Sequence, residues 1–248
     1  MASIAHDLQD GNTAAMCAPD AVGDALSIAS LSLARRFADG ATMWCTSPEW
    51  PEHSRHVAVE FVHPVVVGKR ALPAVSVDSV DPVGSLRSLV RAGDIVLVIS
   101  RSDAVPAIDV MRRSRAWGAT TVWMGVGPRP PDRAADHIVW AADSDGGDSP
   151  ALYDGRLVLL YHVLWELTHV CFEHPGLLSP DPQDCDEEVC ITCSDEGRLG
   201  EVVTTHERGL TTVRTARGLE TIDTTMVAGV GPGDLVLIHA GAAIAEVP

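Results

Sequence analysis

Two groups of residues have the types and spacing to do chemistry. Cys185, Cys190 and Cys193 crowd into nine positions with the spacing C-x4-C-x2-C. That could be part of an iron–sulfur or zinc motif, although cluster sites usually want four thiolates and no fourth cysteine stands nearby. The Cys190/Cys193 pair, C-x-x-C, also suits a redox-switchable disulfide. The second group is His56 and Glu60, which fall four apart in a segment with helical spacing and so share one face. Imidazole nitrogen and carboxylate oxygen are both zinc donors and both serve in proton transfer.

The elements that position these groups follow from apolar spacing. Ala21–Ala38 reads as a helix ending near Gly40, 41–45 as a strand, and 55–62 as a helix. The stretches 71–77 and 94–100 (DIVLVIS) are continuous apolar, β-branched runs of the kind buried on both faces of a parallel sheet. A helix over 107–118, strands over 120–125 and 137–141, and a long apolar helix over 154–172 complete an alternation that predicts a doubly wound α/β fold. From 174 to 188 the chain reads HPGLLSPDPQDCDEE, with three prolines, five acids and no period. We place a linker at 176–188, between a domain of residues 1–175 and one of 189–248. Beyond it, short strands at 199–204, 211–215, 219–223 and 235–238, separated by glycine turns, predict a small all-β barrel of four or five strands.

Composition narrows the function classes. The 248 residues are 46% hydrophobic, enough for a sizeable core, and the formal charge of −16 argues against nucleic acid or an anionic membrane surface as partner. There is no secretory pattern, and the longest apolar run, around 157–164, is too short for a bilayer. A cytoplasmic protein is expected, with Cys17, Cys45, Cys171 and the three clustered cysteines as thiols. Lys69 is the single lysine.

HVAVEFV (56–62), RALPAVSV (70–77), GDIVLVISRSD (93–103), WGATTVWMG (117–125) and LLYHVLWEL (159–167) resemble, in order and spacing, the SIS family, and the phosphoheptose isomerases most. The likeness spans about residues 20–173. It implies acid–base roles for Glu60 and His162 and zinc-ligand roles for His56, Glu60 and His162. Asp154 stands where the family has Gln, as a weaker ligand candidate. It further implies phosphate-binding loops at 45–55 (CTSPEWPEHSR) and from Ser100, where Ser100 and Ser102 remain as ligand-binding candidates. Bulk and acid replace the expected glycine and serine, and Glu49 and Asp103 would repel a dianion, which argues against ordinary heptose-phosphate isomerisation. These polar residues could instead merely hydrogen-bond at a subunit interface. By the same resemblance a homo-oligomer is expected.

The C-terminal string GPGDLVLIHAGAAIAEV (231–247) is similar to the HypC/HupF hydrogenase maturation chaperones, as is a cysteine just before the first barrel strand, here Cys190. That resemblance implies an iron carrying cyanide and carbon monoxide, held by Cys190 with His239 in support and Cys193 as a second candidate ligand. It implies as partners a HypD-type protein and the precursor of a [NiFe]-hydrogenase large subunit. Thiolate and imidazole suit such a low-spin iron. Three readings stand: a maturation chaperone with an isomerase-like domain attached, a phosphosugar isomerase with an accessory barrel, and a phosphosugar-sensing module.

Overall fold

The computed structural model describes residues 21–141, 150–179, 197–227 and 229–247. The element order is α1 (Ala21–Ala38), β1 (Met43–Thr46), α2 (Pro51–Val62), β2 (Ala74–Ser76), α3 (Pro82–Leu89), β3 (Ile95–Ile99), α4 (Val105–Ala116), β4 (Thr120–Val126), β5 (His137–Ala141) and α5 (Pro150–Glu173). Five strands follow: β6 (Arg198–Thr205), β7 (Leu210–Thr215), β8 (Gly218–Asp223), β9 (Leu235–His239) and β10 (Ala242–Val247).

The first five strands form one parallel sheet, in the order β2-β1-β3-β4-β5. Every residue of β3 and β4 is buried, as the apolar run of β3 and the apolar, β-branched make-up of β4 require when helices cover both faces. One core lies under α1, α2 and α5 (Leu33, Phe61, Leu97, Tyr161, Leu164). The other lies under α3 and α4 (Leu86, Val98, Met111, Trp117, Trp123). The doubly wound α/β expectation therefore holds.

Several elements differ from the sequence reading, three of them for evident reasons. Helix α2 starts at Pro51, because proline at the first helical position needs no N–H partner. Strand β2 keeps only three residues, since Pro73 cannot donate to a ladder. Helix α3 was not expected at all, although Asp81 caps it by accepting from the Gly84 N–H at 2.9 Å and Pro82 opens it.

Gly125 on β4 is a required gap. A Cβ there would lie 2.3 Å from the Trp140 ring and 2.4 Å from the Ser100 carbonyl oxygen, both fixed groups. Gly125→Ala is expected to cost about 1–3 kcal/mol in denaturant unfolding, because a packed core cannot yield. A loss under a few tenths would show that Trp140 moves aside freely.

The remaining strands close into a barrel, β10-β8-β7-β6-β9, around Val202, Val213, Ile222, Val236 and Ile238. The barrel does not hang free. Leu235, with Leu199 and Val247 beside it, packs into the same core as Trp117 and Leu86. Glu201 of β6 is 2% exposed and faces the α/β domain. It accepts from Arg87 at 2.6 Å, from Arg113 at 2.8 Å and from the Trp117 indole N–H at 2.7 Å. Arg214 lies over the Trp117 ring and donates to the carbonyls of Arg87 and Val90. Gly118, at φ +81°, lets the Ala216 backbone approach to where a side chain would collide.

Lys69 is pinned as well. Its side chain is 10% exposed, and its ammonium donates to Glu173 at 2.7 Å and Glu166 at 3.2 Å, tying the loop after α2 to α5. These two carboxylates hold its pKa above the ordinary lysine value: the Glu173 hydrogen bond leads, burial opposes it, and the Glu166 hydrogen bond adds to it.

Candidate functional site

His56, Glu60 and His162 come together on the outer surface of the helical layer. Helix α2 places His56 and Glu60 one turn apart, and α5, packed alongside, brings in His162. Glu60 Oε1 lies 3.2 Å from His56 Nε2 and 3.3 Å from His162 Nε2. The side chains are 41%, 18% and 38% exposed, so the site is shallow and open to solvent.

The donor set fits zinc. Two imidazole nitrogens and one carboxylate oxygen are a ligand set of catalytic zinc sites, and they leave a fourth position for water or substrate. At metal–ligand distances of about 2.0–2.1 Å a tetrahedron has edges of about 3.3–3.4 Å. Both N···O separations approach that length, and all three donor atoms lie within 4.8 Å of one another.

Tyr161, absent from the sequence-derived candidates, supports this cluster. Its hydroxyl sits 2.7 Å from His56 Nδ1, and its fully buried ring packs edge-on to His56 at 5.1 Å between centroids. The hydroxyl can accept from Nδ1–H when Nε2 takes a metal, or donate to Nδ1 when Nε2–H faces Glu60. Position alone could have suggested it, since it immediately precedes His162 on α5. His53 adds a ring at 5.9 Å from Tyr161, and Trp50 one at 6.3 Å from His53. Asp154 lies on α5, but its side chain is outside the described residues.

The two loops at the carboxyl ends of β1 and β3 are already engaged. Ser47 Oγ donates to the Ile99 carbonyl at 2.6 Å, and Ser54 Oγ to the Pro51 carbonyl at 2.9 Å. Ser100, fully buried, donates to the Arg101 carbonyl at 3.0 Å and accepts from the Trp123 indole at 2.8 Å. Ser102 is half-buried on the same loop. Glu49 accepts from the Arg101 backbone N–H at 2.9 Å, with its other oxygen 3.2 Å from the Arg101 guanidinium.

In the barrel, His239 ends β9 and is half-buried, on the outward side with Leu237 while Val236 and Ile238 point inward. It pairs with Ala242 across a two-residue turn, Ala240 at φ +49° and Gly241 at φ +83°. Its strand neighbour Ile238 faces Arg198, so His239 stands at the barrel end where the chain enters β6. Cys190 and Cys193 lie outside the described residues, as do Cys17 and Cys185. Burial pushes the thiols of Cys45 and Cys171 up, against a smaller opposing pull from Arg35 at Cys171, which leaves both poor thiolate donors.

Comparison with known proteins identifies the fold of the first domain. A phosphoheptose isomerase from Francisella tularensis superimposes with a TM-score of 0.53 at 13% identity, over 61% of this chain and 88% of that one. A phosphoheptose isomerase from Neisseria gonorrhoeae aligns over 59% of this chain and 85% of that one at 16% identity, with a TM-score of 0.47. The α/β part thus has the SIS, phosphoheptose isomerase-like fold, joined to a closed five-stranded barrel. No family model matches the sequence, and no curated protein does. No helix among the described residues is long and apolar enough to cross a membrane.

Proposed function

We propose that this chain is a sugar-isomerase-type protein whose reaction centre is the His56–Glu60–His162 cluster. The observation that carries the reading is the convergence of three acid–base and zinc-capable groups from two helices onto one oxygen atom, Glu60 Oε1. Zinc, when bound there, would polarise a carbonyl oxygen. In the metal-free cluster, where His162 Nε2 keeps its proton, the chain's own groups suffice for the proton movements of an aldose–ketose interchange. Glu60 takes the proton from the carbon beside the carbonyl, and His162 Nε2–H supplies one to the carbonyl oxygen, giving an enediol. Glu60 then returns its proton to the former carbonyl carbon while the other hydroxyl gives its proton back to His162. His56, held by Tyr161, orients the Glu60 carboxylate. Self-association belongs to the proposal, because Val59 (54% exposed) and Leu159 (63% exposed) place apolar surface on the two helices that carry the cluster. The test is metal analysis of the purified protein together with an assay of ketose–aldose interconversion. Stoichiometric zinc or measurable turnover, lost in His56→Ala, supports the reading; neither in the unmodified protein defeats it.

A second reading concerns the barrel. The position of His239 at the end where the segment containing Cys190 joins β6 favours an iron-escorting role for that Cys/His pair. In this reading the barrel carries an iron–cyanide–carbonyl centre as cargo, with Cys193 as a further candidate ligand. It passes from a HypD-type partner to a hydrogenase large-subunit precursor. Anaerobically purified protein should then show cyanide and carbonyl stretching bands in the infrared, abolished by Cys190→Ala and weakened by His239→Ala. Their absence when a HypD-type partner is co-expressed would end this reading.

A further inference from the structure

A cavity of about 250 Å³ opens where the barrel meets α4. Three arginines from three separate places line it: Arg115 in the last turn of α4, Arg198 at the start of β6, and Arg217 in the two-residue turn joining β7 to β8. Leu199 and Ala216 add apolar wall, which lowers the local dielectric and strengthens charge attraction. No acid among the described residues lines the cavity, although the chain carries 34 acids against 18 lysines and arginines. The lining thus reverses the charge bias of the whole protein.

The three guanidiniums are positioned but not saturated. Arg198 makes a two-pronged pair with Glu220, at 2.7 and 2.6 Å, and keeps its side chain 31% exposed. Arg115 donates to the Arg133 carbonyl at 2.7 Å and stands 3.4 Å from Asp136. Arg217 is exposed, and its turn is fixed by its backbone N–H donating to the buried Thr215 hydroxyl at 3.1 Å. These two carboxylates against three cations leave one positive charge at the cavity. Guanidinium forks match phosphate oxygens two at a time. Three of them from different directions suit a tetrahedral oxyanion better than a planar carboxylate. Pockets for drug-sized ligands run to about 300–1,000 Å³, so this one takes a small anion, and domain seams are favoured places for ligand sites. We propose that this seam binds a phosphoryl group, as inorganic phosphate or as the phosphate end of a small monoester, through Arg115, Arg198 and Arg217. The anion bridges the two domains, because Arg115 belongs to the first and the other two arginines to the barrel. The site lies on the side of the sheet covered by α3 and α4, away from the His56 cluster on α2 and α5, and it stands without the sugar-isomerase reading.

The experiment is isothermal titration of the full chain with sodium phosphate, glycerol 3-phosphate and sodium acetate, ionic strength being held constant with sodium chloride. It is repeated on Arg217→Ala, Arg217→Lys and Arg115→Ala. The wild-type chain should bind one phosphoryl group, and acetate about tenfold more weakly or worse. Arg217→Ala should weaken phosphate binding by about tenfold or more, since it removes charge-assisted hydrogen bonds. The exposed position of Arg217 spares the fold. Arg217→Lys, which keeps the charge but not the fork, should weaken it less than alanine does. Phosphate should also raise the unfolding temperature of the wild-type chain, and raise it less in Arg217→Ala and Arg115→Ala, because a ligand of the folded state stabilises it. Tighter binding of glycerol 3-phosphate than of phosphate assigns the site to a monoester; the reverse assigns it to the free ion. No phosphate binding at millimolar concentration, equal binding of acetate, or an affinity unchanged in both alanine variants overturns the proposal.

Discussion

Glu201→Ala is expected to destabilise the protein by about 3–5 kcal/mol, since it strands buried donors rather than deleting a surface ion pair. Glu201 is the common acceptor for Arg87, Arg113 and the Trp117 indole, with its side chain 3% exposed. Burial alone would raise its pKa. The hydrogen bonds of Arg87, Trp117 and Arg113 outweigh that and hold it below the ordinary value of 4.5. The sign of the pH dependence follows. A carboxyl whose folded pKa is depressed contributes stability that is fully present above about pH 4.5 and is lost as pH falls through the lower folded value. Thermal or denaturant unfolding between pH 7 and pH 3 should therefore show a steeper acid loss in the wild-type chain than in Glu201→Gln. Some acid loss persists in the variant, because Glu220 is also depressed: burial raises its pKa more than any one partner lowers it, but Thr215 and Arg198 together with the charge of Arg217 outweigh burial. Equal slopes, or an alanine variant within about 1 kcal/mol of wild type, would show that Glu201 adds little to the docking of the barrel.

Glu60→Gln should lower ketose–aldose turnover by about 10²–10⁴-fold, the usual worth of a positioned general base. The amide keeps the size of the side chain while removing the proton acceptor on which both imidazoles converge. Zinc affinity, measured by competition with a chelator, should fall in the same variant, because an amide oxygen is a weaker donor than a carboxylate. Stability should change little, since the cluster is half open to water and lies outside the apolar core. Undiminished turnover and zinc affinity would remove Glu60 from the centre of the site.

Much of the sheet was legible because β3 and β4 are buried on both faces: β3 carries no polar residue, and β4 has polar residues only in the two threonines at its start. Helix α3 escaped notice because eight residues containing Gly84 and two serines hold too little apolar spacing, although Asp81 and Pro82 mark its start. The pairing of His56 with Glu60 was visible, since four-residue spacing is a local property of helices. The Tyr161 hydroxyl on His56 and the Glu49 carboxylate on Arg101 join positions 105 and 52 residues apart, and no local rule connects them. Glu201 shows the same limit more sharply. On the sequence it is one acid in a strand of a charged protein, and only its burial against Arg87, 114 residues away, makes it structural.

Lys69 has a practical consequence. A reagent selective for side-chain amines has one target in this chain, and that target is clamped between two carboxylates. Its acylation rate under native conditions would report how often the strap from α2 to α5 lets go, a local opening next to the helix that carries His162. A single covalent tag thus gives a clock for motion beside the reaction centre without touching any of its residues.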